Sequence, residues 1–209
     1  MKKGVFITIS LLIFLSAGCK KEPVVKAQTR ETQSPQGQKA PAFDLKSFDG
    51  KDVSLSDFSG KIVVLEWFNY ECPFVRYHYE DANTMTDLAE KFSDQDVVWL
   101  AVNSTAHATV DKNREFAEKN GITYPILDDR AGVVGKKYGA ITTPHIFIID
   151  KDGFLAYQGA IDNAPLGKIP EERKEYINYA QKAINELIEG QPVSDPNTKP
   201  YGCTVKYAD

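Results

Sequence analysis

Hydrophobic residues gather in short unbroken runs along this chain, and the polar stretches between them carry helical spacing. Val63 to Phe68 is apolar and β-branched except at Glu66, which predicts a buried strand. Val97 to Val102, Tyr124 to Leu127 and Ile146 to Ile149 predict three more strands. Asp49-Gly50, between the short apolar pieces around Phe48 and Val53, predicts a small β-hairpin ahead of the first long strand. Met85, Leu88, Ala89 and Phe92 fall on one helical face, after an interruption near Tyr77 to Asn83. Asp111 to Asn120 predicts a polar helix ended by Gly121. Asp129 is placed to cap a helix running through Val133, Val134 and Tyr138 to Gly139. Lys151-Asp152-Gly153 predicts a tight turn into Phe154 to Gly159. Tyr176, Ala180, Ala183, Ile184, Leu187 and Ile188 predict a last helix over Glu171 to Glu189. Helices thus alternate with buried strands, and an antiparallel pair closes the sheet: an α/β layered domain.

Composition changes this picture only at the ends. At 209 residues, with 42% hydrophobic and 26% charged residues, the chain suffices for one packed domain plus tails. A net charge of −4 gives no basic surface, so nucleic acid is not an expected partner. Lys2 and Lys3 followed by apolar Val5 to Leu15 read as a signal peptide over residues 1–18, too short to span a membrane. Leu15-Ser16-Ala17-Gly18-Cys19 resembles a bacterial lipobox, with the leucine one place further upstream than in its tightest form. The resemblance implies cleavage before Cys19, a lipid on its sulfur, and a domain held at the cell envelope outside the cytoplasm. Residues 19–39 are polar and read as a tether, 40–190 as the folded domain, and 191–209 as a C-terminal tail.

Three cysteines bear on the chemistry. With Cys19 consumed by lipid, Cys72 and Cys203 remain as thiols. Cys72 follows the first long strand across a short polar link and precedes Pro73, a residue suited to the first position of a helix. A thiol at a helix N-terminus is favoured as a thiolate, the nucleophilic form. Arg76, four residues on, would add positive charge on the same face. Glu66 has two readings, a partly exposed strand-end carboxylate, which the position favours, and a buried proton acceptor beneath the site. His78 is badly placed around an ideal helix to pair with Cys72. His145 reads equally as a site residue or a strand-edge residue, and His107 has no evident partner. No Cys/His spacing points to zinc, and neither a metal nor a cofactor is expected.

Gly60 to Pro73 resembles the approach to a thioredoxin-fold active site. Downstream, Ile141-Thr142-Thr143-Pro144-His145 resembles the cis-proline loop of that fold, with Tyr138-Gly139-Ala140 before it and Asp150-Lys151-Asp152-Gly153 after it. From Ala40 to Glu189 the chain is similar to the redoxin branch of the thioredoxin fold, the AhpC/TSA-like and peroxiredoxin-like proteins. That resemblance implies a central mixed sheet flanked by helices, here with an added N-terminal β-hairpin. It implies a substrate groove shaped by Thr143 and Pro144, and attack by Cys72 on the disulfide of a client protein or on a peroxide. Two departures stand out. Val75 occupies the place of the second cysteine of a Cys-x-x-Cys pair. Leu65 and Asn69 stand where peroxiredoxins carry a proline and a threonine, and the later peroxiredoxin arginine has no clear match. Cys203, in the Gly202-Cys203-Thr204-Val205-Lys206-Tyr207 ending, is similar to tail cysteines of some peroxiredoxin-like chains. It reads as a resolving thiol, as half of a static disulfide, or as an unpaired tail thiol, with an external thiol then completing the cycle. A thioredoxin-fold binding module that has lost turnover is the alternative from another class.

Overall fold

The computed structural model describes Met1, residues 37–172 and residues 174–208. The signal peptide, the lipidation site Cys19 and the tether as far as residue 36 lie outside the described residues.

An antiparallel hairpin comes first, β1 (Asp44–Ser47) and β2 (Asp52–Ser54), joined through Asp49-Gly50 as the turn signal predicts. Strand β3 (Ile62–Trp67) follows and is buried along its whole length. Cys72 caps a short helix α1 (Pro73–Arg76), which widens into a π-turn at Tyr77–Asp81. The expected interruption is that widened turn. Helix α2 (Thr84–Phe92) then buries Met85, Leu88 and Phe92. After β4 (Val97–Asn103), helix α3 (Val110–Lys119) starts at Thr109, whose hydroxyl accepts from the Lys112 N–H. Next come β5 (Ile126–Asp128) and α4 (Val133–Tyr138). The N-cap of α4 is Gly132, yet the Asp129 carboxylate reaches past it to accept from Val134 N (3.0 Å) and Gly135 N (2.8 Å). The expected carboxylate therefore caps the helix from further upstream. The chain continues through β6 (Thr142–Thr143), β7 (His145–Ile149), β8 (Leu155–Gly159), helix α5 (Tyr179–Ile188) and β9 (Cys203–Thr204).

Among the described residues, seven strands form one mixed sheet in the order β2-β1-β5-β4-β3-β7-β8. β3 pairs in parallel with β4, and β4 with β5, while β7 runs antiparallel to β3 and β8 antiparallel to β7. Alternate residues of β3 face opposite layers. Ile62 and Val64 pack with Phe68, Cys72, α2 and α5, while Val63, Leu65 and Trp67 pack with Phe43, Val134 and Tyr138. Because the site begins where this doubly covered strand ends, its backbone is held from both sides.

Two expectations need correction here. The last helix is shorter than its apolar stripe suggests: residues 171, 172 and 174–178 are not helical and Tyr176 is exposed. Asn163 explains the shortening, since its side chain takes the Ile177 N–H (2.9 Å) and donates to the Glu175 carbonyl (2.8 Å), which a helix would need for itself. Asn178 then caps α5 through the Gln181 N–H (2.8 Å). The second correction is Glu66, a fully buried residue in the interior of β3 rather than a partly exposed strand-end carboxylate.

Candidate active site

Asn69 builds the corner that presents Cys72. Its side-chain oxygen accepts from the Glu71 N–H (2.8 Å) and its carbonyl accepts from the Cys72 N–H (3.0 Å). These bonds turn the chain from strand into helix within a few residues, the ordinary work of an Asn-centred turn. Cys72 then sits at the N-cap of α1 with its carbonyl accepting from Arg76 N (2.9 Å). Its thiol donates to the Thr143 carbonyl (2.9 Å) across the domain, and the residue is only 1% exposed. The Thr143–Pro144 peptide bond is cis.

The tail completes the site. β9 pairs antiparallel with β6, placing Cys203 opposite Thr143 and Thr204 opposite Thr142. Cys72 and Cys203 are free thiols close enough to interact through their side chains. Cys203 is half-buried. Burial first, and then the neighbouring Cys72, push its thiol up to about 11, with Lys206 opposing. Gly202 makes this approach feasible: at φ +125° it adopts a backbone region that suits glycine, and a Cβ there would collide with the Thr143 carbonyl.

Tyr201 fixes the tail on the other side of Gly202. Its hydroxyl donates to Asp162 Oδ1 (2.6 Å) and lies 2.9 Å from His78 Nε2. Since the tyrosine proton goes to Asp162, His78 is the Nε2–H tautomer, and its Nδ1 accepts from the Thr84 hydroxyl (3.1 Å). Burial holds the His78 pKa below its ordinary value, with the Asp162 charge opposing. The Tyr201 ring also packs on Phe74, one residue past Pro73. Nothing in the sequence signals this cluster, because His78 and Tyr201 lie more than a hundred positions apart.

The remaining candidates fall elsewhere. The Arg76 guanidinium, expected beside the thiol, is directed at Glu80 Oε2 (2.8 Å) on the exposed side of the helix. His107 does have a partner, Glu71 Oε2 at 2.8 Å, on the surface beside Cys72 in sequence. His145 is buried in β7 opposite Trp67 with its ring 4.3 Å from that of Phe147, and burial drives its pKa down to about 3. It is a neutral packing residue at physiological pH. Glu66 accepts from Tyr79 OH (2.8 Å) and Trp99 Nε1 (3.1 Å) through one oxygen, while the other has no hydrogen-bond partner. Burial raises its pKa to about 7, against the pull of those two donors. The Tyr79 hydroxyl continues to Tyr124 OH (2.8 Å), so this carboxyl heads a short chain of phenols.

A sequence model of the AhpC/TSA family matches residues 36–158. The thiol-disulfide oxidoreductase ResA of Bacillus thuringiensis subsp. konkukian is 30% identical over 125 residues, 60% of this chain and 69% of that one. The thioredoxin-like protein YneN of Bacillus subtilis is 32% identical over 127 residues, 60% of this chain and 72% of that one. Among solved structures, an uncharacterized conserved protein from Geobacillus kaustophilus superposes with a TM-score of 0.74 at 28% identity, covering 85% of this chain and 94% of that one. The family match spans more than half of the chain and takes in the β3 strand, Cys72 and the cis-proline loop, so the chain belongs to the AhpC/TSA family of thiol-based oxidoreductases with a thioredoxin-like fold.

Proposed function

We propose that this oxidoreductase works with a split dithiol, Cys72 as the nucleophile and Cys203 as the resolving thiol. The observation that carries this reading is the register of β6 and β9, which brings the tail thiol against Cys72 across Thr143. The position vacated by the second cysteine of a Cys-x-x-Cys pair, Val75, is thereby compensated from the far end of the chain. Effective concentrations of well-aligned groups are high enough to make such a closure fast.

With a peroxide, the Cys72 thiolate attacks the nearer oxygen, the O–O bond breaks, and the leaving oxygen departs as water or an alcohol after protonation. Cys203 then attacks the sulfenic sulfur, hydroxide leaves as water, and a Cys72–Cys203 disulfide remains. Two external thiols return the enzyme to its dithiol form and leave as a disulfide. With a client disulfide, Cys72 attacks one sulfur and Cys203 releases the mixed disulfide. The relatives named thiol-disulfide oxidoreductase favour this second form of the reaction. Thr143 and Pro144 line the groove, and Glu66, titrating near neutral pH in the layer that holds Cys72, is suited to accept a proton. The N-terminal pattern supports a lipid anchor on Cys19 and an envelope location.

Non-reducing mass spectrometry of the mature protein, before and after one equivalent of hydrogen peroxide, tests all of this. The expected result is loss of two hydrogens, mapped to a Cys72–Cys203 peptide pair, with a lipid mass on Cys19. The Cys203→Ser variant should instead hold a sulfenic acid or mixed disulfide on Cys72. A chain whose thiols survive peroxide and disulfide alike would be a binding module rather than an enzyme.

A further inference from the structure

We infer that Asp162 holds an organic cation, an alkylammonium or guanidinium group, in the cavity enclosed by the π-turn at Tyr77–Asp81, the loop of residues 163–170 and Tyr176. The cavity measures about 380 Å³, and Tyr77, Thr84, Asp162, Ile169 and Tyr176 are among the side chains that line it. Neither thiol lines it, so the site is separate from the chemistry proposed above.

Among the described residues, three buried side chains carry a carboxyl group: Glu66, Asp129 and Asp162. Asp129 is spent on the start of α4, and Glu66 faces Tyr79 and Trp99 inside the sheet. Asp162 has only neutral partners. Its Oδ1 accepts from Tyr201 OH (2.6 Å) and Ala164 N (2.9 Å), and its Oδ2 from Tyr176 OH (3.1 Å). His78, which shares Tyr201 with it, carries its proton on Nε2 alone and is neutral as well. No lysine or arginine among the described residues lies within ion-pair distance of Asp162. A charge removed from water and left without a counterion is costly. Oδ2, with a single donor, keeps a lone pair for one.

The walls suit an organic cation. Two phenol rings, Tyr77 and Tyr176, stand in them, and aromatic faces attract ammonium and guanidinium groups. Tyr77 is brought there by the π-turn, a rare local widening that recurs at functional sites. The opposite wall is bent back by Leu166 and Gly167, both at positive φ (+52° and +72°). Gly167 lies so close to the Tyr77 hydroxyl that a Cβ there would collide with it, and Leu166 holds a backbone conformation that leucine adopts only at a cost. Leu166, Ile169 and Tyr176 are exposed. An apolar rim of this kind packs the aliphatic stem of a long side chain whose charged end reaches the carboxylate. A divalent metal fits less well, since Asp162 is the one carboxylate in the lining and such ions take several oxygen ligands.

Two sources offer this chemistry, a lysine or arginine side chain of a polypeptide and a free polyamine. Tyr201 joins Asp162 to the tail two residues before Cys203, and its ring packs on Phe74. A polypeptide seated in the cavity would therefore lie alongside the strap.

The test is calorimetric titration of the full chain, its thiols kept reduced, in about 0.3 M sodium chloride, where exposed charges are screened within about 6 Å. The probes are the N-acetyl amides of lysine, arginine and norleucine, and spermidine. At least one cationic probe should bind saturably, with a dissociation constant of about 1 mM or below, and at least about tenfold more tightly than the neutral norleucine amide. Binding of the lysine or arginine amide assigns the site to a polypeptide side chain, and binding of spermidine alone assigns it to a free polyamine. Asp162→Asn keeps an oxygen for Tyr201 and Ala164 but removes the charge, and it should weaken binding about tenfold or more. Ile169→Lys, at an exposed position, sets a tethered ammonium at the mouth and should compete to a similar extent, so it decides the matter if the first variant does not fold. Norleucine amide binding as tightly as the cations, no saturable binding of any cationic probe, or unchanged binding in the folded variants would each overturn the inference.

Discussion

Glu66 titrates in the middle of a sheet, and that single carboxyl sets a stability profile. Its pKa rises from an ordinary 4.5 to about 7 because burial penalises the charged form more than Tyr79 and Trp99 favour it. Between those two values the folded state holds a proton that the unfolded state has released. Stability therefore falls as pH rises through this window, and the penalty is complete above it, roughly 3 kcal/mol for a shift of this size. Glutamine keeps an acceptor for the two donors and cannot ionise. Urea unfolding of wild type and Glu66→Gln at pH 5 and pH 8 should show the wild type losing up to about 3 kcal/mol more than the variant across that interval. Equal pH slopes would mean that water reaches the carboxylate. His145 acts at the other end of the scale. Its pKa is depressed from 6.5 to about 3 by burial, so its contribution is present above 6.5 and is lost as pH falls toward 3. The difference between wild type and variant cancels this histidine, which is common to both.

At the scale of elements, what could be read from the sequence was whatever depends on near neighbours. Apolar runs gave β3, β4, β5 and β7, and Gly139 ends α4 in the left-handed conformation that a helix C-terminus favours. The Thr143–Pro144 loop and the Cys72 corner were recognisable because each is a local pattern beside a strand. What depends on distant neighbours stayed hidden. Residues 171–178 carry helical spacing, but Asn163 takes their backbone groups from more than ten positions away. Glu66 looks like a strand-end charge until Trp99 and Tyr79 close over it. The two-residue strand β9 has no periodicity to detect, and its partner β6 lies about sixty positions upstream. Gly202 is the one local sign of that pairing, and it is where the pairing can be broken. In Gly202→Ala, a positive φ and a collision with a backbone carbonyl both oppose β9, a strain of roughly 1–3 kcal/mol. Cys203 in that variant should alkylate with iodoacetamide faster by about ten- to a hundredfold, and the Cys72–Cys203 bridge should form correspondingly more slowly. An unchanged alkylation rate would mean that the β6–β9 pairing does not govern access to Cys203.

At the scale of the molecule, the tail is a strap across the domain and not an appendage. Its path begins at β8, where Gln158 N donates to the Pro196 carbonyl (3.0 Å) and Thr198 N returns a bond to the Gln158 carbonyl (3.1 Å). It crosses the site at Tyr201 to Thr204 and ends with the Tyr207 ring against Gly132 and Gly135 of the α4 turn. Val193 and Val205 are buried, and Tyr201 and Cys203 pack on the cluster that contains Cys72. The strap thus joins the β8 edge of the sheet and the α4 turn across Cys72, and covering Cys72 is inseparable from stabilising the fold. Removing residues 193–209 exposes the apolar surface those side chains cover, with each fully buried valine worth roughly 1.5–3 kcal/mol. It also takes from the buried His78 Nε2 its tyrosine partner, a loss of about 1–3 kcal/mol, while Asp162 keeps the Ala164 N–H and the Tyr176 hydroxyl. The truncated chain should melt on the order of 10 °C lower. Its Cys72 should react with iodoacetamide under native conditions faster than Cys72 of the full-length Cys203→Ser variant, over which the strap still lies. That pairing of results separates the strap's cover from the chemistry of its thiol: a truncated chain with full stability and an unchanged Cys72 alkylation rate would show that the rest of the domain buries Cys72 unaided.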